Sequence, residues 1–294
     1  MHKFEIDNVL SIETDENSNK KIVIHNTFCE AEIYLLGGNL THFKPKAEEK
    51  VIFDGKKSYI LPNKSAHFGI PICWPWFGPH PTDTDKPQHG FARTMLWEIS
   101  ETQTLQTGET FIKLQLTENE DTLALYPHSF ELTLTFTIGK TLSMSLTTQN
   151  TSKQPMSVTQ ALHSYLYVNQ VQDIRIEGLE NISYLDQLDH HNIKHSSEPI
   201  EIQSELDRIY IDTGGVCRII DPVLKRKIHI QKEHSQTTVV WNPGKENTLH
   251  DVGKEKYNKF VCIETANTKE DTITISPNMA YTLSQKIYCE ELDS

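Results

Sequence analysis

The sequence predicts an all-β protein, a large antiparallel β-sandwich, on three observations. Short segments with period-two alternation recur along the chain, and no stretch of ten or more residues holds a convincing helical period. The composition, 37% apolar and 23% charged, is rich enough for a hydrophobic core and too poor in charge for disorder. A chain of 294 residues fits one large sandwich, so the expected organisation is a single domain over 1–294.

The alternating segments are 21–25, 31–36, 111–116, 130–138, 142–148, 174–176, 227–230 and 237–241. One hairpin can be placed in register. Leu132, Leu134, Phe136 and Ile138 share one face of its first strand, and Leu142, Met144 and Leu146 one face of its second. A two-residue turn at 139–140 would set Ile138 against Thr141 and Phe136 against Ser143, apolar against polar. A three-residue loop at 139–141 pairs Ile138 with Leu142, Phe136 with Met144 and Leu134 with Leu146, and is the register expected.

Segment 62–97 differs in character. Pro62, Pro71, Pro75, Pro79, Pro81 and Pro87 punctuate it, and it holds three of the four tryptophans. Proline at that density excludes central strands, because each one removes a ladder donor. The expectation is an ordered loop region on a rigid sheet, where binding residues commonly sit. Its aromatic rings offer faces for the C–H side of a sugar, or alternatively cap one end of the core.

Charge and cysteine content narrow the function. With 40 acidic against 28 basic residues the formal charge is −12, and the cations are scattered, which disfavours nucleic acid or an anionic membrane as partner. Five cysteines, odd in number and without a CxxC pair, argue against a disulfide framework and a zinc ribbon. His67, Cys73, His80 and His89 lie close in sequence, but their spacing matches no common zinc signature, and no metal is expected. No GxSxG elbow, GxGxxG turn or P-loop supports a hydrolase triad, a dinucleotide or ATP. The first residues carry no apolar signal core, and no run reaches the ~18 apolar residues of a membrane span. A cytoplasmic, monomeric protein without cofactor is the expectation.

Two strand-like segments point to chemistry. In Ala161-Leu162-His163-Ser164-Tyr165-Leu166-Tyr167-Val168, alternation sets Leu162, Leu166 and Val168 on one face and His163, Tyr165 and Tyr167 on the other. In Phe260-Val261-Cys262-Ile263-Glu264-Thr265-Ala266, the Glu264 carboxylate follows four apolar residues and shares a face with Phe260 and Cys262. A partly buried carboxylate is expensive unless it is paired or used. On this pattern alone, His163 serves equally well as a satisfied core histidine and Glu264 as a strand-end glutamate.

Six ordered stretches then resemble the hexose-6-phosphate mutarotases (glucose-6-phosphate 1-epimerases), a branch of the aldose 1-epimerase superfamily. They are Gly69-Ile70-Pro71-Ile72-Cys73-Trp74-Pro75-Trp76-Phe77-Gly78-Pro79, His89-Gly90-Phe91-Ala92-Arg93 with Trp97-Glu98, Ala161-Leu162-His163-Ser164-Tyr165, Asp207-Arg208-Ile209-Tyr210, Val240-Trp241-Asn242-Pro243-Gly244 and Phe260-Val261-Cys262-Ile263-Glu264-Thr265. The resemblance implies a galactose-mutarotase-like sandwich with its site on the concave face. It implies Glu264 as catalytic base, His163 as catalytic acid, and Gln88, His89, Arg93 and Asp207 as substrate-binding groups. The implied reaction interconverts the α and β anomers of a hexose 6-phosphate, glucose 6-phosphate first, with a small-molecule sugar as the only partner. One departure stands out: where the family usually reads Arg-Gly-Gly, this chain reads His67-Phe68-Gly69, with Arg93 and Lys64 as the remaining cations for a phosphate. That departure keeps open a mutarotase for unphosphorylated aldoses; outside the enzymes, a noncatalytic carbohydrate-binding or sensing domain stays open because sandwiches with aromatic loops often bind sugars without altering them. The implied mechanism sets His163 and Glu264 facing each other across one pyranose ring, and the carboxylate is expected to keep the imidazole protonated near neutral pH.

Overall fold

The structure is a computed structural model and describes residues 2–246 and 248–292. Two antiparallel sheets dominate it. The larger has eight strands in the order Arg175–Glu177, Cys217–Asp221, Arg226–Glu233, Ala280–Glu291, Leu142–Asn150, Phe130–Ile138, Thr110–Thr117 and Glu98–Thr104. The other has seven, in the order Asn192–His195, Ser183–Asp186, Leu206–Ile211, Thr237–Asn242, Phe260–Asn267, Gln160–Tyr167 and Ile72–Cys73. A four-stranded N-terminal meander runs from Leu10–Thr14 to Asn39–Pro45, and Met156–Val158 pairs with Ile273–Ile275. The sandwich expected from alternation is therefore present, with one short α-helix among the described residues, Glu120–Leu125, capped by Asn119. Among the described residues no helix is long and apolar enough to cross a membrane.

The expected hairpin forms in the expected register. Ile138 pairs with Leu142, Phe136 with Met144 and Leu134 with Leu146, and the apolar members of both strands are buried while their neighbours are not. Burying each large apolar side chain of this kind contributes about 1.5–3 kcal/mol, so a one-residue slip that exposed the whole set would be strongly disfavoured. Segment 62–97 contributes only the two-residue strand Ile72–Cys73, at the edge of the seven-stranded sheet, where proline neighbours are tolerated.

The main core lies between the two large sheets, with Leu162, Leu166, Ile263 and Val261 meeting Leu134, Met144, Leu283 and Ile287 in one cluster. A buried polar tie crosses it, from Gln285 Nε2 to Ser164 Oγ at 2.9 Å. Since Ser164 faces the eight-stranded sheet, His163 and Tyr165 must point the other way. On that outer face a second cluster forms, from Tyr34, Phe53, Phe68, Tyr165, Val252, Phe260 and Cys262.

Candidate active site

Strand register builds the site. In one row across four strands, Ile209 lies opposite Val239, Val239 opposite Glu264, and Glu264 opposite His163. In the row two residues away, Asp207 lies opposite Trp241, Trp241 opposite Cys262, and Cys262 opposite Tyr165. Residues two apart on a strand share a face, so both rows face outward together. They floor a cavity of about 280 Å³, whose walls include Phe77, Gly78, Gln88, His89, Arg93, His67, Gln187 and Leu249. All six residues named from the sequence, His163, Glu264, Gln88, His89, Arg93 and Asp207, line this one cavity.

The loop residues are held by the tryptophans, not replaced by them. Trp97 Nε1 donates to the Ala92 carbonyl at 3.0 Å, inside the short 3₁₀ turn Ala92–Thr94 that carries Arg93. Trp76 Nε1 donates to Pro87 O at 2.8 Å, and Trp74 Nε1 to Thr148 Oγ1 at 3.0 Å. All three indoles are buried in the core, so of the two roles open to the loop aromatics, core packing is the one these three take. Trp241 is the indole that lines the cavity. Gly90 makes the loop possible: at φ +70° a Cβ there would stand 2.0 Å from the Trp74 carbonyl oxygen. His89, also in the left-handed region, donates its backbone N–H to Gly78 O at 2.7 Å, and the Gly78 N–H donates to His89 Nδ1 at 3.2 Å. Nδ1 thus accepts, and the ring proton of neutral His89 sits on Nε2. Burial, then the charges of Arg93 and His67, push this imidazole down to about 3. Arg93 Nη2 in turn donates to the Gln88 carbonyl at 2.7 Å.

At the centre, His163 Nε2 lies 3.2 Å from Glu264 Oε1, and both side chains are almost wholly buried. The imidazole stacks on Tyr165 at 4.9 Å and takes the edge of His89 at 5.8 Å. Two expectations are corrected here. His163 and Glu264 do not stand apart with room for a ring between them; they touch side by side, because the register puts them directly opposite on neighbouring strands. Nor does the carboxylate keep the imidazole charged. Burial, then His89, Arg93 and His67, push His163 well below its ordinary 6.5, while burial and Asp207 push Glu264 well above 4.5. Desolvation outweighs attraction, so burial favours the neutral form of both partners. His163 Nδ1 and Glu264 Oε2 are buried without a hydrogen-bond partner, a costly state that polar ligand groups would relieve. Burial, then Glu205 and Asp186, raise the Asp207 carboxyl to about 6.

Two residues outside the sequence reading contribute, one lining the cavity and one behind it. Gln187 donates its backbone N–H to Asp207 O at 2.9 Å and lines the cavity. Asp251 grips His67 from behind: the His67 backbone N–H donates to Asp251 Oδ2 at 2.6 Å, and the ring Nδ1 lies 3.1 Å from Oδ1. Both come from loops without periodicity, and only their polar character marks them. Tyr167 shares the His163 face but packs under Lys50 and Arg226, away from the cavity, and Lys64 is exposed and is not among the lining residues.

Comparison with known proteins agrees with this architecture. The profile of the aldose 1-epimerase family matches residues 20–288. A relative from Cenchrus ciliaris, named "Putative glucose-6-phosphate 1-epimerase", is 36% identical over 85% of this chain and 78% of its own. One of the same name from Escherichia coli strain K12 is 30% identical over 85% of this chain and 83% of its own. A crystal structure titled as a "putative mutarotase (YeaD)" from Salmonella typhimurium superposes with a TM-score of 0.91 at 26% identity, covering 98% of this chain and 96% of that one. A galactose-mutarotase-like sandwich, a cavity with a histidine–glutamate contact at its centre, and a family match over most of the sequence lead to one assignment: this chain belongs to the aldose 1-epimerase family.

Proposed function

We propose that this protein interconverts the α and β anomers of a hexose 6-phosphate, glucose 6-phosphate first, by general acid–base ring opening and closure at His163 and Glu264. The single observation that carries the reading is the 3.2 Å contact between these two side chains inside a cavity lined by Asp207, Gln88, His89 and Arg93. The names of the two relatives supply the substrate class.

The chemistry suits a side-by-side pair. In a pyranose the anomeric oxygen O1 and the ring oxygen O5 are both bonded to C1, so their proton partners must also be neighbours. Sugar hydroxyls reaching Glu264 favour its ionised form, and a phosphate dianion in the cavity favours the imidazolium, so binding moves the shared proton to His163. Glu264 then takes the O1 proton as the C1–O1 carbonyl forms, the C1–O5 bond breaks, and O5 takes a proton from His163. Rotation about C1–C2 presents the other carbonyl face, and the two residues exchange roles on closure. Asp207 and Gln88 hold the remaining hydroxyls. No step calls for a metal or an organic cofactor, since the reaction is redox-neutral and side chains carry both protons.

Arg93 is the phosphate partner in this reading, as the one always-charged side chain among the described residues of the wall. A single such cation also favours a second reading, a mutarotase for unphosphorylated aldoses. Anomer-exchange rates on glucose and glucose 6-phosphate, for wild type and Arg93→Ala, separate the two. The phosphorylated substrate should be the faster, and the variant should lose at least about tenfold more on it than on glucose, the worth of one charge-assisted contact. Equal losses on both sugars would transfer the assignment to free aldoses. The reading also takes 1–294 as one domain, because a single core cluster runs from Leu10 to Ile287, and it takes the enzyme to be a cytoplasmic monomer.

A further inference from the structure

His67 lines the cavity with one ring nitrogen already committed. Nδ1 lies 3.1 and 3.2 Å from the two oxygens of Asp251, whose carboxylate also accepts the His67 backbone N–H at 2.6 Å. Burial alone would raise the Asp251 carboxyl, but the hydrogen bond and charge of His67 outweigh it and hold the group below its ordinary value. An ionised carboxylate can only accept, so Nδ1 carries a proton whatever the charge on the ring. What pH changes is Nε2, the nitrogen left for the cavity. Neutral, it presents a lone pair and repels an anionic oxygen; protonated, it donates a charge-assisted hydrogen bond.

The groups facing His67 from other elements bear on its charge. Arg93 comes from the 3₁₀ turn and His89 from the loop before it. The neighbouring strands present His163, Tyr165, Glu264 and Asp207, and behind Asp251 the Lys56 ammonium bonds the His250 carbonyl at 3.4 Å. Arg93, joined by His67 when that ring is protonated, opposes charge on the two inner imidazoles, and burial drives the Glu264 carboxyl toward its neutral form. The His67–Arg93 wall is therefore the positive part of a pocket in a chain of net charge −12.

We propose that His67, oriented by Asp251, is a proton-linked anion receptor: binding of a phosphorylated sugar fixes a proton on this imidazole, which grips the phosphate dianion together with Arg93. The identity of the sugar rests on the proposed function; the linkage rests on the His67–Asp251 geometry. It makes affinity for the phosphorylated sugar fall as pH rises, by up to about tenfold per unit where the free imidazole is neutral and the bound one charged.

Calorimetry on the intact protein tests this with glucose 6-phosphate at about pH 8, where the phosphate, with a second pKa near 6, is fully dianionic. Two phosphate-free buffers of different ionisation enthalpy count the protons taken up. Wild type should take up close to one proton per sugar bound, and neutral glucose none. His67→Gln, at a half-buried position that tolerates a polar amide, should abolish the uptake and weaken binding at about pH 6.5 some ten- to hundredfold. Asp251→Asn, which keeps the imidazole but unties it, should reduce the uptake. Equal uptake by wild type and His67→Gln overturns the receptor, even if anomer exchange is accelerated. Uptake that depends on His67 in a protein that leaves anomer exchange unaccelerated overturns the proposed function and keeps the receptor. Absence of measurable binding overturns both.

Discussion

Asp207 is held in a position that costs stability, and the cost can be measured. Its carboxyl is raised from 3.8 to about 6, by burial first and by the charges of Glu205 and Asp186 after it. The folded protein thus holds this proton more tightly than the unfolded chain does. For this group alone, its contribution to stability is most favourable where both states are protonated, falls as pH rises from 3.8 to about 6, and stays reduced above that. Asp207→Asn keeps the shape and removes the ionisation. Integrating the linkage over this shift, the variant should exceed wild type by about 1 kcal/mol at pH 4.5, rising to about 3 kcal/mol at pH 8. With an unfolding entropy of about 2 cal/mol/K per residue, the larger figure corresponds to about 5 °C in melting temperature and the smaller to under about 2 °C. Urea and thermal melts of both proteins at the two pH values give the difference directly. The same variant should anomerise sugar more slowly, because an amide cannot replace the charged acceptor for the substrate hydroxyls. A stability gain that does not change between pH 4.5 and pH 8, or a variant less stable at pH 8, would refute the assignment of Asp207 as a strained acid kept for binding.

Gly90→Ala should lower stability by about 2 kcal/mol or more, since φ is +70° and the added Cβ meets the Trp74 carbonyl at 2.0 Å. It should also cost activity by displacing His89 and Arg93; a melt within about 1 °C of wild type would contradict the close approach. Phe136→Ala, deep between the sheets opposite Met144, should cost about 3–5 kcal/mol in urea denaturation without changing the KM of the folded fraction.

The parts of the fold and site that were legible were those fixed by local alternation. The hairpin at 139–141 could be registered because only one pairing keeps Phe136, Ile138, Leu142 and Met144 on one side. The outward direction of His163 and Glu264 follows from the same period. Their contact does not, because pairing between the strands Gln160–Tyr167 and Phe260–Asn267 is set by the whole sheet order and not by either sequence. Alternation does not mark the strand Glu98–Thr104, an edge strand without a fully buried residue, nor Ala280–Glu291, where buried Gln285 interrupts the apolar face. The run expected at 31–36 is a strand from Cys29 to Tyr34, after which Gly37 and Gly38 turn the chain at positive φ. Gln187 and Asp251 lie on loops, where nothing periodic marks them. The charge state of His163 is not legible for a further reason: a sequence shows which groups can ionise but not the depth of burial that opposes their charge.

The account turns on one proton held between two side chains, and magnetisation-transfer NMR on equilibrated glucose 6-phosphate reads its consequence without coupling enzymes. Wild type should transfer saturation from the β to the α anomeric proton far faster than buffer does. Glu264→Gln and His163→Ala should each lower that rate by about two orders of magnitude or more, the usual contribution of a positioned acid or base. Their melting curves near neutral pH should show folded proteins, since burial favours the neutral form of Glu264 and an amide matches its shape. Exchange within about threefold of wild type in either folded variant would remove that residue from the mechanism and contradict the pairing on which the function rests.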